Sequence, residues 1–310
     1  MATEHRDNPT RPGIDREERA YRYYRNAVER HWDPSAIDLT DDVAGLVEMD
    51  REALDGLRAS LAKFGAGEQA VTEDLAPLSV VLADIEDQSF ITTQLYEEAK
   101  HTDFFDRYWT EVVNAAERER GMAETSPHED RWYNDEYDEL FARNEAAMDR
   151  LLTEDSPENR AKAYCHYHLT IEGILAQTGY FGLQTAYGPN EPALPTLSGL
   201  NEGLDSIRRD EGRHVGFGML KLKELIEEQG VDPQILSSTV DELLPLVAAT
   251  TAGAAEEREG DPGERPGPSP EDLRTYATEK HTQRMQQIVN ASAEIPDVES
   301  LVAIRDPGDV

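Results

Sequence analysis

The sequence predicts an all-α protein built on a four-helix bundle, with further helices packed around it. Three observations carry this. Apolar residues recur at helical spacing through most of the 310 residues, as Leu54, Leu57, Leu61 and Phe64 do. No alternating runs are joined by an Asn-Gly type hairpin turn, and no repeat of solenoid length occurs. Two Glu-x-x-His pairs and two lone glutamates fall in four separate helical segments.

Residues 1–14 carry Pro9 and Pro12 among charges and are expected to be a flexible terminus. A helix is predicted over about 16–30, with Tyr21, Tyr24 and Val28 at helical spacing. His31-Trp32-Asp33-Pro34 follows, and Pro34 takes the residue before it out of helical geometry. Asp41 and Asp42 are placed to cap the next segment. A helix over about 50–84 is expected to bend or divide at Pro77. Gly65 and Gly67 lower its propensity just before Glu68.

The next helix spans about 88–120, with Ile91, Leu95, Phe104, Tyr108, Val112 and Val113 on its apolar face. Residues 121–131 read as a loop around Pro127, and a shorter helix over about 135–152 follows. Ser156-Pro157-Glu158 starts another, with proline in the first turn, running to about Tyr187. Pro189, Pro192 and Pro195 mark a connector, and helices over about 197–229 and 233–254 come next. The sequence thus divides into a bundle domain over 15–255, an acidic Gly/Pro linker over 256–270, and a last helix and polar tail over 271–310.

Charge and composition narrow the setting. There are 64 acidic and 30 basic residues, a net charge of -34. Such a surface repels itself unless salt screens it, so it reads as adapted to a salt-rich interior. It disfavours nucleic acid and anionic membranes as partners. An acidic disordered chain is excluded by the apolar periodicity. The single cysteine, Cys165, has no partner for a disulfide, which suits a reducing, cytoplasmic compartment. The polar first residues resemble no signal peptide, and no run is apolar enough to span a bilayer.

The chemistry-bearing residues are Glu68, the pair Glu98/His101, Glu172, and the pair Glu211/His214. Glu-x-x-His puts both side chains on one helix face, three residues apart. One Glu from each of two helices and a Glu-x-x-His from each of the other two is the donor set of dimetal carboxylate bundles. Glutamates are abundant here, so solvated faces and salt bridges are the plain alternative. The neighbours argue otherwise: Glu172 lies among Leu169, Ile171, Ile174 and Leu175, and Glu68 between Ala66 and Val71. Four uncompensated buried carboxylates would be prohibitively costly, whereas two divalent cations cancel their charge. Carboxylates with imidazole suit iron and manganese better than zinc, and favour redox work with dioxygen over hydrolysis. Asp210, adjacent to Glu211, projects about 100° away around its helix and is placed to reach His101. Trp32 is either an indole donor to that Asp210 or an ordinary packing residue.

At these residues the sequence resembles the ribonucleotide reductase small-subunit superfamily, over about 20–255. That likeness implies a ferritin-like fold and a homodimer. It rests on Trp32-Asp33-Pro34 before the bundle and on Asp210-Glu211-Gly212-Arg213-His214 closing the site. The resemblance maps a Trp–Asp–His connection to Trp32, Asp210 and His101. Three departures set the chain apart from conventional reductase subunits. The first ligand is Glu68 rather than Asp, the radical tyrosine position holds Phe105, and no tyrosine follows Tyr276.

The segment Gly67-Glu68-Gln69-Ala70-Val71-Thr72 is similar to the ligand-binding oxidases of the same superfamily. That resemblance implies a Mn/Fe pair (Fe/Fe as the alternative), a bound long-chain fatty acid or similar amphiphile, and a tyrosine–valine ether link. The matching residues are Val71 and Tyr167; as core and a hydrogen-bonding tyrosine they have a plainer reading. Tyr180 is a candidate polar group near the ligand head. Gly173, Ala176 and Gly179 either open a groove for an acyl chain or let helices pack closely. The expected activity is a two-electron C–H oxidation. A radical-generating reductase subunit and a non-catalytic fatty-acid or metal-binding protein are its rivals.

Overall fold

The computed structural model describes residues 13–256 and 266–297, and among them there are helices and no strands. The expected frayed start therefore falls largely outside the described residues, as do most of the 256–270 linker and the polar tail after 297.

Local sequence sets the helix ends. α1 spans Arg19–Glu29, and a 3-10 turn at Pro34–Ala36 is capped by Asp33, whose Oδ1 accepts from Ser35 N at 2.9 Å. α2 is Thr40–Glu48. α3, Arg51–Asp74, starts on Asp50, which accepts from Ala53 N at 2.8 Å. The helix predicted over 50–84 is divided rather than bent: Pro77 lies in the first turn of α4, Ala76–Val81, where its missing N–H costs nothing. Gly65 and Gly67 do not interrupt α3.

α5, Ile85–Tyr108, runs through a π-helical stretch, Trp109–Val113, into α6, Asn114–Glu119. α7 is Asp135–Arg150, capped by Asn134. α8, Pro157–Tyr164, opens on Ser156 and passes through a second π-helical stretch, Cys165–Ala176, into α9, Gln177–Tyr187. α10, Ser198–Gln229, stops at Gly230, whose φ of 71° suits glycine. α11 is Pro233–Glu256, and α12, Pro270–Val289, carries a Ser269/Asp272 capping box.

Asp42 departs from its expected role. It lies in the first turn of α2 and caps a different helix, accepting from Gly199 N at 3.1 Å and Leu200 N at 2.8 Å at the start of α10. Tyr108 donates to the same carboxylate at 3.0 Å.

The bundle consists of α3, α5, α8–π–α9 and α10. α1 covers α5, α7 packs on α3, and α11 and α12 cover the π-helical stretch of the third bundle helix. Two apolar clusters fill it. Val71, Phe90, Tyr167 and Phe217 belong to one; Leu57, Phe104, Phe105 and Tyr180 belong to the other.

Candidate metal centre

All six chemistry-bearing residues are buried and converge from the four bundle helices. Glu68 comes from α3, Glu98 and His101 from α5, Glu172 from the π-helical stretch, and Glu211 and His214 from α10. They form two groups, each with one donor atom per residue and all those atoms within 4.8 Å of one another. Glu68, Glu98, His101 and Glu211 make the first; Glu98, Glu172 and His214 make the second. Glu98 belongs to both.

Both imidazoles turn Nδ1 inward. His101 Nδ1 lies 3.4 Å from Glu68 Oε2, 3.3 Å from Glu98 Oε2 and 3.5 Å from Glu211 Oε1. His214 Nδ1 lies 3.0 Å from Glu98 Oε1 and 3.3 Å from Glu172 Oε1. The local helix form matters for Glu172. In a π-helix the hydrogen bonds run from residue i to i+5, so Tyr167 and Glu172, five apart, fall near one face. Thr170 Oγ1 donates to Cys165 O, also five back, at 2.8 Å.

The donor set fits a pair of cations. Glu98 Oε2, Glu172 Oε2, Glu211 Oε2 and His214 Nδ1 are buried and make no hydrogen bond among the described residues. Buried carboxylate oxygens and an inward lone pair without protons to bind are what metal ligands need. Among the protein groups alone, burial drives Glu68 and Glu211 up and Glu172 up to about 7. Burial also opposes ionisation of Glu98, but the His214 and His101 imidazoles hold it well below the usual carboxylate range. Burial works against charging the two histidines. Glu68 and Asp210 nonetheless hold His101 well above the ordinary imidazole value, and Glu98 does the same for His214.

Outward, each imidazole Nε2 meets a second carboxylate. His101 Nε2 is 3.1 Å from Asp210 Oδ2, and His214 Nε2 is 2.9 Å from Glu97 Oε2. Trp32 Nε1 donates to Asp210 Oδ2 at 2.8 Å, and Lys100 Nζ lies 2.9 Å from the same oxygen. Arg213 bridges Glu97 and Asp210. Asp210 is held well below the usual carboxylate range by its His101 hydrogen bond and by Arg213 and Lys100, against the effect of burial.

Sequence reasoning passed over Glu97, Lys100, Arg213 and Gln94. The signal for the first three was available: Glu97-Glu98-Ala99-Lys100-His101 and Asp210-Glu211-Gly212-Arg213-His214 share the order acid, Glu, x, base, His. Gln94 carries no such pattern. It is fully buried and its Nε2 donates to Glu172 Oε1 at 2.8 Å.

Val71 is buried one turn beyond Glu68. The Tyr167 hydroxyl donates to Glu98 Oε1 at 2.9 Å and the Tyr180 hydroxyl to Glu68 Oε1 at 2.6 Å. Phe105 is buried and stacks on Phe64 with centroids 5.5 Å apart, and Phe64 stacks on Tyr180 at 4.6 Å. The small residues allow close packing. A Cβ on Gly179 would fall 2.5 Å from Phe64 Cζ, and one on Gly173 would fall 3.1 Å from Arg284 Nη1.

Comparison with known proteins agrees with this geometry. A family model described as ribonucleotide reductase, small chain, matches residues 16–256. Solved structures of an R2-like ligand-binding oxidase superpose on most of the chain. A Val-to-Leu variant of that protein with anaerobically reconstituted Mn/Fe cofactor is 28% identical, with a TM-score of 0.75, over 88% of this chain and 94% of that one. A Gly-to-Leu variant with a non-activated Mn/Mn cofactor is 29% identical, with a TM-score of 0.76 over the same shares. The oxidase with aerobically reconstituted Mn/Fe cofactor is 27% identical, with a TM-score of 0.74, over 88% and 93%.

Proposed function

Because the chain belongs to the ribonucleotide reductase small-chain family, we propose that it is a ferritin-like dimetal oxidase of the ligand-binding kind, acting on a C–H bond with dioxygen. The observation that carries this is the buried double cluster sharing Glu98, with Val71 and Tyr167 beside it. Glu68, Glu98, His101 and Glu211 would hold one cation, and Glu98, Glu172 and His214 the other. The pair is Mn/Fe, with Fe/Fe as the alternative. When bound, it would supply the electrons that activate dioxygen, the oxidant, for removing hydrogen from an unactivated C–H bond.

The protein groups do the rest. Four carboxylates match the charge of two dications, so the loaded site would be neutral. Asp210 and Glu97 hold the imidazoles with Nδ1 inward. Tyr167 donates its hydroxyl to Glu98, which orients the phenol toward the cluster. Val71 and Tyr167 are the internal target: an ether link removes one hydrogen from the hydroxyl and one from a valine C–H bond. A long-chain fatty acid or similar amphiphile is the accompanying ligand, with Tyr180 near its polar end. The likeness to the Mn/Fe oxidases and the acidic surface support a cytoplasmic, salt-adapted homodimer.

One observation favours a second reading, a radical-generating reductase subunit. Trp32, Asp210 and His101 form a hydrogen-bonded line out of the cluster. Against it stands Phe105 at the radical position.

The test is reconstitution of the full chain with Mn(II) and Fe(II) in air, in high salt. Two metals per chain and stoichiometric dioxygen uptake without a partner are expected. Absence of a metal pair sinks the reading. Uptake that yields a radical quenched only by a large reductase subunit favours the second reading.

A further inference from the structure

We propose that Arg284, carried by α12 outside the four-helix bundle, is a positioning residue that holds the third bundle helix in its π-helical register and so keeps Glu172 in the cluster. The consequence for the metals rests on the proposed dimetal centre; the register itself does not.

A change from π-helical to α-helical hydrogen bonding leaves one carbonyl without a backbone donor, and a buried carbonyl must then be served by another group. At the end of the π-helical stretch, Gln177 N–H is shared between Glu172 O, five residues back, and Ile174 O. It passes over Gly173 O, the acceptor an α-helical Gln177 would use. That carbonyl accepts instead from Arg284 Nη1. Burial lowers Arg284 to about 10, so it is charged at neutral pH and the hydrogen bond is charge-assisted.

The first π-helical stretch behaves differently. Asn114 N–H donates to Trp109 O, five back, and passes over Thr110 O. Thr110 is exposed, so water can serve its carbonyl. Gly173 is buried, and a protein donor is needed there. Glycine is also what admits the guanidinium: a Cβ at 173 would fall 3.1 Å from Arg284 Nη1 and 2.8 Å from His168 O. α12 is itself fixed against α9. Phe181 stacks on Tyr276 with centroids 4.4 Å apart and planes at 2°, and Arg284 follows Tyr276 by about two turns.

The register decides where Glu172 points. In an α-helix, residues five apart point about 140° away from each other, so Tyr167 and Glu172 would no longer fall near one face. Freed of Arg284, Gly173 O is open to Gln177 N–H, and the commoner α-helical pairing takes over. The donor group Glu98, Glu172 and His214 then loses a member, while Glu68, Glu98, His101 and Glu211 stay together.

The test is anaerobic Mn(II) titration of the full chain, counted by electron paramagnetic resonance, with crystal structures of the metal-free variants. The wild-type chain is expected to bind two Mn(II). Arg284→Met removes the donor and keeps much of the side-chain length, and should bind one. Arg284→Lys keeps a donor and should bind two. In the metal-free Arg284→Met chain, Gln177 N–H should lie on Gly173 O. Gln177 still bonded to Glu172 O, or equal Mn(II) content in Arg284→Met and Arg284→Lys, overturns the proposal and leaves Arg284 a strut for α12. If Arg284→Met does not fold, Gly173→Ala decides, because its Cβ parts the guanidinium from the carbonyl. One Mn(II) and an α-helical Gln177 are expected there; two Mn(II) with the π-helical pairing intact overturn the proposal. A wild-type chain that binds no Mn(II) pair refutes the dimetal reading, and the crystal structures alone then decide the register.

Discussion

Nε2 of His214 lies 2.9 Å from a carboxylate oxygen of Glu97, on the opposite bundle helix. Nε2 of His101 lies 3.1 Å from Asp210 in the same way. Each acid immediately precedes a cluster glutamate on its own helix and braces the histidine of the other. Arg213 ties the two acids together. The arrangement puts the proton on Nε2 and leaves the Nδ1 lone pair inward. Glu97→Gln should therefore weaken metal retention on the His214 side by about 10–100-fold, and Asp210→Asn on the His101 side. Metal content after graded chelator competition checks this. Equal loss from both positions in each variant would contradict the pairing.

Glu98 is the one residue common to both donor groups. Glu98→Ala should leave no stable metal in the chain. Glu68→Ala removes a donor from the first group alone and Glu172→Ala from the second alone, so each should retain about one metal per chain. Metal analysis after gel filtration distinguishes these outcomes. Two metals retained by Glu98→Ala would place the cations elsewhere.

Much of this was legible in the sequence because helix periodicity is short-range. The 3.6 repeat locates the bundle helices, and the i, i+3 rule puts Glu98 with His101 and Glu211 with His214. What escaped was longer-range or locally ambiguous. Asp42 looks like the cap of its own helix, yet tertiary packing gives it to α10. The π-helical form of Cys165–Ala176 leaves no propensity signal, although it sets the register of Tyr167 against Glu172. Gln94 reads as one polar residue on a helix face. Its burial against Glu172 is visible only when the third bundle helix is in place.

Tyr167 and Tyr180 both donate to cluster carboxylates, at 2.9 and 2.6 Å. If the ether link forms between Val71 and Tyr167, the aerobically loaded chain should lose the mass of two hydrogens in peptides containing both residues. Tyr167→Phe should abolish that loss, and Tyr180→Phe should leave it intact. Peptide mass spectrometry with and without air reads the result. A loss that survives Tyr167→Phe would assign the link elsewhere.

Away from the centre, burial raises Asp74 to about 6 while Asn144 Nδ2 donates to it at 2.8 Å. The neutral acid is the form the fold prefers. Stability from this group is thus full below about pH 4 and lost as pH rises through about 6. Asp74→Asn removes the charge and can also donate to the buried Asn144 Oδ1, which has no hydrogen-bond partner. Partial exposure screens the cost, so the gain should stay below about 1 kcal/mol. The variant should melt about 1–3 °C above wild type at pH 7.5, with the difference vanishing near pH 4. A difference independent of pH would remove Asp74 ionisation as its cause.

Gly218 tests how tightly the third and fourth bundle helices are keyed near the centre. It lies one turn after His214, and a Cβ there would fall 2.3 Å from His168 Cβ. That atom is anchored to the backbone, so rotamer change cannot relieve the clash. His168 is itself enclosed, with its ring 4.7 Å from Tyr167 and its Nε2 3.4 Å from Gln94 Oε1. Displacing it would pull on the glutamine that donates to Glu172. Gly218→Ala should cost about 1–3 kcal/mol through overpacking. It should also weaken the second metal position, which depends on Glu172, more than the first. Thermal melting and metal titration of the variant measure the two effects. Destabilisation with equal metal affinity at both positions would confine the effect to helix packing and cut the link from His168 through Gln94 to Glu172.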